Sequence, residues 1–287
     1  MYRDNVIHDS GIIYLCIKAG KMKKYVHYKG KKIYYSDEGN GTAVVLVHGY
    51  LETAEVWESF AHKLAKNFRI ITVDLPGHGN SDIYEATHSM ELLAGSVNAL
   101  LNAIGIERVF FTGHSLGGYV SLAFLELYPE KLIGYCLFHS HPFADTIAVI
   151  QKREHEIDIV NAGKKFILYT ENVKRMYADI NLEKFSASLE RSKKIASAIS
   201  AEGIMAVLKG MIARPSRLTL MEKGVVPCLW ILGTMDNYVP FEEVSKKVDL
   251  PVNAELVILR NSGHLGFIEE EERAAAVITD FVEKLKV

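Results

Sequence analysis

The spacing of hydrophobic positions changes along the chain, and the changes predict an alternation of buried strands and helices. Residues 25–28 and 32–37 are rich in β-forming side chains around a Lys-Gly-Lys turn, which predicts a hairpin. Wholly apolar runs such as residues 43–47 are typical of strands buried on both faces of a parallel sheet. The predicted buried strands are residues 43–49, 68–75, 108–113, 131–140, 225–233 and 254–263. The predicted helices are residues 56–67, 89–104, 116–128 and 268–286.

Strand and helix alternate with short links, which indicates a doubly wound, mostly parallel α/β sheet flanked by helices. From about residue 141 to residue 217 this alternation stops, because the segment carries helices with one charged face and no buried strand. We therefore expect an α/β core made of residues 22–140 and 215–287. Residues 141–214 are expected to form an all-helical insert.

Composition and charge narrow the class of protein. The chain has 287 residues, of which 49% are hydrophobic and 24% charged, as expected for a globular domain with an insertion. A net charge of −2 gives no sign of binding to nucleic acid or an anionic membrane, and the apolar runs are too short to span one. Cys16, Cys136 and Cys228 have no motif spacing, which favours free thiols in a reducing compartment and hence a cytoplasmic protein.

The first 21 residues form an extension ahead of the predicted hairpin. Arg3, Asp4 and Asp9 precede a short apolar run, without the basic start and small-residue cleavage site of a secretory signal. Because the hairpin begins directly after Met22, one hypothesis is that Met22 is the natural start of the protein.

Ser115 is the candidate nucleophile. It lies in GHSLGG, directly after a predicted buried strand and directly before an apolar helix. A nucleophilic serine on such a strained turn needs small residues two positions away, and Gly113 and Gly117 supply them, with Gly118 adding room. The turn would expose the hydroxyl at the carboxyl edge of the sheet, where a helix N-terminus stabilises negative charge.

A serine nucleophile needs a base and an acid that orients the base. His264 follows the last predicted strand, so we expect it at the same edge of the sheet as Ser115. Asp236 follows the preceding strand, and Ser-Asp-His is the chain order expected for this architecture. Asp145, after the strand that ends near residue 140, is the reserve candidate for the acid.

The oxyanion of an acyl-transfer reaction needs two backbone amides. Leu116 is expected to supply one, and Tyr50 the other, after a turn that Gly49 permits. His48 is expected to hold this loop by a hydrogen bond, and His78 to brace a turn beside the site. The candidates for the lining of the substrate pocket are His48, Gly49, His114, His139 and His141, although His114 is expected to point away from Ser115. His139 and His141 form an H-x-H pair, but no further ligands lie near them in sequence, so no metal site is predicted.

The motifs LVHGY, VDLPGHGNSD, GHSLGGYV, ILGTMDNYVP and NSGHLGF together resemble the α/β-hydrolase superfamily over nearly the whole chain after about Lys24. The resemblance implies an eight-stranded sheet with its second strand antiparallel and a helical cap at 141–214. It also implies the triad Ser115, Asp236 and His264, with Tyr50 and Leu116 as oxyanion donors. The chain departs from the pattern in its N-terminal extension and in the His-Ser-His-Pro sequence after the strand at residues 131–138.

The strained turn between strand and helix that bears the nucleophile is called the nucleophile elbow. The serine at this elbow favours some reactions of the superfamily over others. Dehalogenases and epoxide hydrolases of this superfamily have aspartate there, so serine favours attack on an acyl carbonyl without metal or organic cofactor. The leading prediction is hydrolysis of a small carboxylic ester, lactone or thioester. The alternatives are a carbon–carbon bond hydrolase, an acyltransferase, a haloperoxidase-like activity and a receptor without catalysis. The substrate and the oligomeric state cannot be predicted from the sequence.

Overall fold

The sheet of the protein has its strands in the order β1-β2-β3-β5-β4-β6-β7-β8-β9. The computed structural model describes residues 14–18 and 21–285, so most of the predicted extension at 1–21 lies outside the described residues. The strands are β1 (Tyr14–Lys18), β2 (Lys21–Tyr28), β3 (Lys31–Gly39), β4 (Ala43–Val47), β5 (Arg69–Val73), β6 (Val109–His114), β7 (Leu132–Phe138), β8 (Cys228–Gly233) and β9 (Ala254–Leu259).

The direction of the strands divides the sheet into two parts. The six strands β5, β4, β6, β7, β8 and β9 form five parallel pairs, whereas β3 is antiparallel to both β5 and β2. The predicted eight-stranded sheet, with an antiparallel second strand, is therefore confirmed as β2 to β9. One further edge strand, β1, pairs antiparallel with β2.

Helices cover both faces of the sheet. They are α1 (Glu58–Leu64), α2 (Met90–Ala103), α3 (Leu116–Leu127), α4 (Ile147–Asn161), α5 (Val173–Met176), α6 (Ser186–Ala198), α7 (Ala201–Ala213), α8 (Leu218–Glu222), α9 (Phe241–Ser245), α10 (Gly266–Glu269) and α11 (Glu271–Lys284). Shorter turns of helix lie at Ala54–Trp57, Pro129–Lys131, Leu168–Asn172 and Asp179–Asn181.

The central elements are buried because their sequences are apolar on every side. Each residue of β4, β6 and β8 is buried, as a parallel strand covered on both faces requires. Helix α3 follows the same rule, since its first ten residues are buried. Helix α2 begins where the sequence predicts, because the Ser89 hydroxyl accepts the Leu92 N–H at 3.1 Å as its N-cap.

Between β7 and β8 the described chain contains helices and loops without a strand. Helix α7 of this segment packs closely against the α/β core. A side-chain carbon at Gly203 would lie 2.0 Å from the Gly77 carbonyl oxygen, and one at Gly210 would lie 1.7 Å from the His88 carbonyl oxygen. Two glycines seven residues apart on one helix face therefore allow the α7 backbone to rest on two loops of the core.

Within the described residues, no single helix has both the length and the apolar composition to cross a membrane. Helices α6 and α7 meet that test only when taken together, and they are bent by 95° relative to each other.

Candidate active site

Ser115 adopts a backbone conformation that the sequence predicts for a nucleophile on a strained turn. Its φ is +50° and its ψ is −110°, between the end of β6 and the first residue of α3. A side-chain carbon at Gly113 would lie 2.1 Å from the Gly117 carbonyl oxygen, and one at Gly117 would lie 2.3 Å from that of Val47. Only glycine at both positions allows the strand, the helix and the loop after β4 to approach so closely.

Hydrogen bonds from the neighbouring strand hold this turn in place. The Ser115 N–H donates to the Phe138 carbonyl at 2.9 Å, and the Ser140 hydroxyl donates to the Ser115 carbonyl at 2.7 Å. A side-chain carbon at Gly118 would collide with Ser140 at 2.3 Å, so this glycine also admits the loop after β7. The strain of the turn is therefore offset by contacts on both sides of Ser115.

His264 and Asp236 are hydrogen-bonded at the same edge of the sheet. Nδ1 of His264 lies 2.8 Å from Oδ2 of Asp236, and both side chains are buried. The other carboxylate oxygen of Asp236 accepts the N–H groups of Tyr238 and Val239 at 2.8 and 2.9 Å. Nδ1 of His264 therefore donates its hydrogen bond to Asp236, and Nε2 is the ring nitrogen with a free lone pair.

His139 is a second histidine on the same carboxylate. Its Nδ1 lies 3.0 Å from Oδ2 of Asp236, and its Nε2 accepts the Gly266 N–H at 3.2 Å. His139 therefore carries its proton on Nδ1 and is neutral, and burial lowers its pKa to about 4 despite the nearby Asp236.

Burial alone would raise the pKa of Asp236, but the charge interactions and hydrogen bonds of His264 and His139 outweigh it. The pKa of Asp236 is consequently far below its ordinary value, and the carboxylate stays ionised. His139, Asp236 and His264 are also the types of residue that bind metal ions. One carboxylate oxygen of Asp236 is hydrogen-bonded to both Nδ1 atoms, at 2.8 and 3.0 Å, so the atoms that would bind an ion are engaged with one another in this structure.

The loop after β4, which carries the predicted oxyanion donor Tyr50, is held in place by hydrogen bonds of its own residues. His48 donates from Nδ1 to the Gly49 carbonyl at 2.8 Å and accepts the Leu75 N–H at Nε2, which holds the loop against the loop after β5. The Gly49 N–H donates to Glu52. The N–H groups of Tyr50 and Leu116 have no acceptor among the described residues, so both remain available to a ligand.

Glu52 is a buried carboxylate that sequence reasoning did not identify. Its Oε2 accepts the Gly49 N–H and lies 2.9 Å from Nδ1 of His114, while Nε2 of His114 lies 2.8 Å from the His264 carbonyl oxygen. Its position three residues after Gly49, in a loop predicted to lie beside the nucleophile, was the available signal. The loop after β4, the strand before Ser115 and the loop of His264 are thereby joined.

Contacts from the helical segment hold His264 from the other side. The His264 N–H donates to the Met176 carbonyl at 2.7 Å, and the Tyr238 hydroxyl donates to the Asn172 carbonyl at 2.9 Å. The Tyr238 ring packs against the His264 imidazole with 5.1 Å between centroids. The helical segment therefore helps to set the position of His264.

Asp145 does not contact His264. Its carboxylate accepts hydrogen bonds from Arg153 and forms an ion pair with Arg214, whose Nη2 lies 2.7 Å from Oδ1. The Arg214 guanidinium stacks on the Tyr119 ring at 3.7 Å, and Nε2 of His141, whose Nδ1 accepts the Phe143 N–H, donates to the Tyr119 hydroxyl at 3.2 Å. Asp145 therefore joins two arginines of the helical segment and is not placed to orient the base.

The structure separates the predicted pocket residues into two groups. His48, His114 and His139 are fully buried, and both ring nitrogens of each are engaged within the protein, so none of the three presents a free ring nitrogen to a ligand. His141 is partly exposed and contacts Tyr119, four residues after Ser115. Burial, assisted by the charge of Arg214, lowers the pKa of His141 to about 3, so it is neutral at physiological pH.

A family model for the alpha/beta hydrolase fold matches residues 42–155. A 2-hydroxy-6-oxononadienedioate/2-hydroxy-6-oxononatrienedioate hydrolase of Paraburkholderia phymatum is 27% identical over 275 residues, covering 88% of this chain and 91% of that protein. Uncharacterised proteins of Mycobacterium tuberculosis and Mycobacterium bovis are 40% identical over 92 residues, but the match spans only 27% of their length.

Solved structures resemble the fold over almost its full length. A thermophilic esterase from Thermogutta terrifontis has a TM-score of 0.86 at 24% identity, covering 97% of this chain and all of that one. The enol-lactonase from Burkholderia xenovorans LB400 has a TM-score of 0.80 at 21% identity, covering 90% of this chain and 99% of that one.

Proposed function

The chain belongs to the α/β-hydrolase superfamily, and from this premise we propose that it is a serine hydrolase of small carboxylic esters, lactones or thioesters. One observation carries the proposal: the His264–Asp236 hydrogen bond of 2.8 Å stands at the sheet edge where Ser115 occupies a strained turn at φ +50°. A nucleophile, a base and an orienting acid at one edge are the requirements of acyl transfer. The similarity to a known esterase and a known lactonase agrees with this reaction class.

In the proposed reaction, Ser115 Oγ attacks the carbonyl carbon while Nε2 of His264 takes the hydroxyl proton. The amides of Tyr50 and Leu116 donate to the developing oxyanion. The imidazolium of His264 is stabilised by Asp236 and then protonates the leaving group, which leaves an acyl ester on Ser115. Water attacks this ester with His264 again as base, releasing the acid and restoring the serine.

Ser115 Oγ and Nε2 of His264 have no hydrogen-bond partner among the described residues. An unoccupied hydrolase often has a long contact between nucleophile and base that shortens when substrate binds. Both groups are therefore free to engage a substrate at this edge.

Replacement of Ser115 tests the proposal. Ser115→Ala is expected to abolish turnover of a nitrophenyl acetate and labelling by a fluorophosphonate, because both reactions need the hydroxyl. Ser121→Ala is the matched control, since that buried serine donates only to the Gly118 carbonyl within α3. Turnover that survives in folded Ser115→Ala, or label recovered on another residue, would contradict the assignment.

A carbon–carbon bond hydrolase is the second candidate. The observation that favours it is the similarity, over 88% of this chain, to a hydrolase named for an oxononadienedioate substrate. The same three residues would serve that reaction. The kcat/KM for a set of simple esters, compared with that for a vinylogous 1,5-diketone acid, separates the two functions.

A further inference from the structure

We propose that Glu52 and His114 act as one charged pair that positions the oxyanion loop and the catalytic base, an inference that rests on the proposed function. The pair is defined by the contact of 2.9 Å between Oε2 of Glu52 and Nδ1 of His114. Neither residue reaches the reacting atoms, so the role assigned to them is positioning.

The pair has one hydrogen bond to each of two catalytic segments. On one side, Oε2 of Glu52 accepts the N–H of Gly49. On the other side, Nε2 of His114 lies 2.8 Å from the carbonyl oxygen of His264 itself. His114 also immediately precedes Ser115 in the chain, so a single two-residue unit links the nucleophile, the oxyanion loop and the base.

The chemistry of the partners indicates that the imidazole of His114 is doubly protonated. A carbonyl oxygen only accepts, so Nε2 of His114 must carry a proton. Oε2 of Glu52 already accepts an amide N–H, and acceptance of a second donor favours its ionised form. Burial alone would lower the pKa of His114, but Glu52 outweighs burial and raises it. Likewise, His114 and Gly49 overcome burial and lower the pKa of Glu52.

The surroundings favour a charged pair over separate charges. His114 and Glu52 are buried at 0% and 3% exposure, and the rings of Trp57 and Phe267 pack against the imidazole at 6.2 and 5.0 Å. In this apolar setting an ion pair interacts strongly, while either charge alone would be costly. The other titratable groups that face the pair are His48, His139, Tyr177, Asp236 and His264.

The consequences for catalysis follow from the direction of each bond. Because Glu52 takes the Gly49 amide, the next amide of the loop, that of Tyr50, is the one left for the oxyanion. Because His114 holds the His264 carbonyl, the imidazole of the base is fixed at its backbone as well as at Asp236. A misplacement of about 1 Å can lower a rate about 10²-fold, so loss of the pair is expected to reduce kcat.

The protonation state of His114 tests the pair without any substrate. In wild-type protein labelled with ¹⁵N-histidine, both ring nitrogens of His114 should carry protons at pH 8, where an exposed histidine is neutral. In Glu52→Gln the same ring should be neutral, with a proton on Nε2 alone. A neutral His114 in the wild-type protein at pH 8 would overturn the proposal.

A double-mutant cycle tests the positioning role. Glu52→Gln and His114→Gln should each lower kcat about 10²-fold, with little change in KM and with a shifted pH profile. The double variant should be no worse than either single variant, because the two residues act as one unit. Glu130→Gln, at an exposed turn, is the matched control and should match the wild type. Independent, multiplicative effects on kcat, or wild-type kinetics in both single variants, would overturn the proposal.

The rate of labelling by a fluorophosphonate separates this inference from the proposed function. If wild-type Ser115 is not labelled at all, the proposed function fails, whatever the state of His114. If Ser115 is labelled and Glu52→Gln is labelled at the wild-type rate, the proposed function stands and the positioning role fails. Slower labelling of a Glu52→Gln protein that keeps the wild-type Tm supports both.

Discussion

Backbone strain in this protein is concentrated at the candidate active site. Among the described residues, the non-glycine residues at positive φ are Lys29, Leu51, Ser115 and His139. Lys29 belongs to a hairpin turn, whereas the other three lie in the loops after β4, β6 and β7, which meet at one edge of the sheet. Such conformations cost of order 1–3 kcal/mol each and persist where the surrounding structure requires them. The loops at the candidate active site are therefore the ones held under strain.

His139 makes the stability of the fold depend on pH. Its pKa in the folded protein is about 4, below the ordinary value of 6.5, so the unfolded chain takes up the proton first as the pH falls. Its contribution to stability is fully present above about pH 6.5 and is lost between there and about pH 4, by about 3 kcal/mol. Urea denaturation across this range should show the loss.

His139→Asn should make this part of the pH profile less steep, since asparagine does not titrate and tolerates positive φ, while His141, whose pKa is also lowered, still titrates. His155→Asn, at an exposed position of α4, should keep the wild-type slope. A wild-type slope in His139→Asn would show that other groups cause the loss of stability in acid.

At the scale of elements, the packing of α3 against the strand ends decides the geometry of the elbow. Three glycines, Gly113, Gly117 and Gly118, let β6, α3 and the loops after β4 and β7 meet at backbone distance. The helix N-terminus is thereby brought beside the oxyanion loop, where its free amides stabilise negative charge. Intrinsic helix propensity does not explain this arrangement, because two of the glycines lie in the first turn of α3 and glycine is a poor helix former.

Gly113→Ala should separate α3 from β6, because the added carbon would lie 2.1 Å from the Gly117 carbonyl oxygen. We expect a loss of about 1–3 kcal/mol in the free energy of unfolding, together with slower fluorophosphonate labelling of Ser115. Gly163→Ala is the control, since its φ is +73° but nothing lies within 4 Å of the added carbon. It should lose about 1–2 kcal/mol from backbone strain and keep the wild-type labelling rate. Equal labelling in both variants would contradict this account of the elbow.

At the scale of the whole molecule, the two ends of the helical segment between β7 and β8 are joined to each other through buried charge. Asp145 lies in the loop after β7, Arg153 on α4 and Arg214 at the end of α7. The side chains of Asp145 and Arg214 are each 2% exposed. Removing one partner of a buried ion pair leaves an uncompensated charge and typically costs 3–5 kcal/mol.

Asp145→Asn should therefore lower the free energy of unfolding by about 3–5 kcal/mol, measured by urea denaturation. Glu190→Gln, which removes an exposed pair with Lys193, should change it by less than about 1 kcal/mol. Because Asp145 touches no residue of the triad, the folded variant should keep its turnover, whereas Asp236→Asn should lower kcat by about 10⁴-fold. Equal stability of Asp145→Asn and Glu190→Gln would contradict the role of Asp145 in joining the two ends of the helical segment.

Local sequence pattern was sufficient to predict most of the architecture. Strands buried on both faces need continuous apolar runs, and helices need apolar residues at helical spacing, so β4, β6, β8 and α2 could be located directly. A shared position for Ser115, Asp236 and His264 could be predicted because each follows a strand of the parallel sheet, and parallel strands end at the same edge. The fold of the helical segment could not, since its helices are amphipathic and their docking depends on distant contacts such as Gly203 against Gly77.

The sequence by itself determined the fold class, the turn that bears Ser115, and the edge of the sheet where a nucleophile, an acid and a base would meet. Those features depend on residues close together in the chain and on the regular geometry of strands. Only the tertiary structure decided which buried histidine has which partner. His114 pairs with Glu52 across 62 positions and His139 with Asp236 across 97, while Asp145 is bound by arginines. Hydrogen bonds between residues so far apart in the chain depend on how the loops pack. Such packing produces no periodic pattern in the sequence from which it could be predicted.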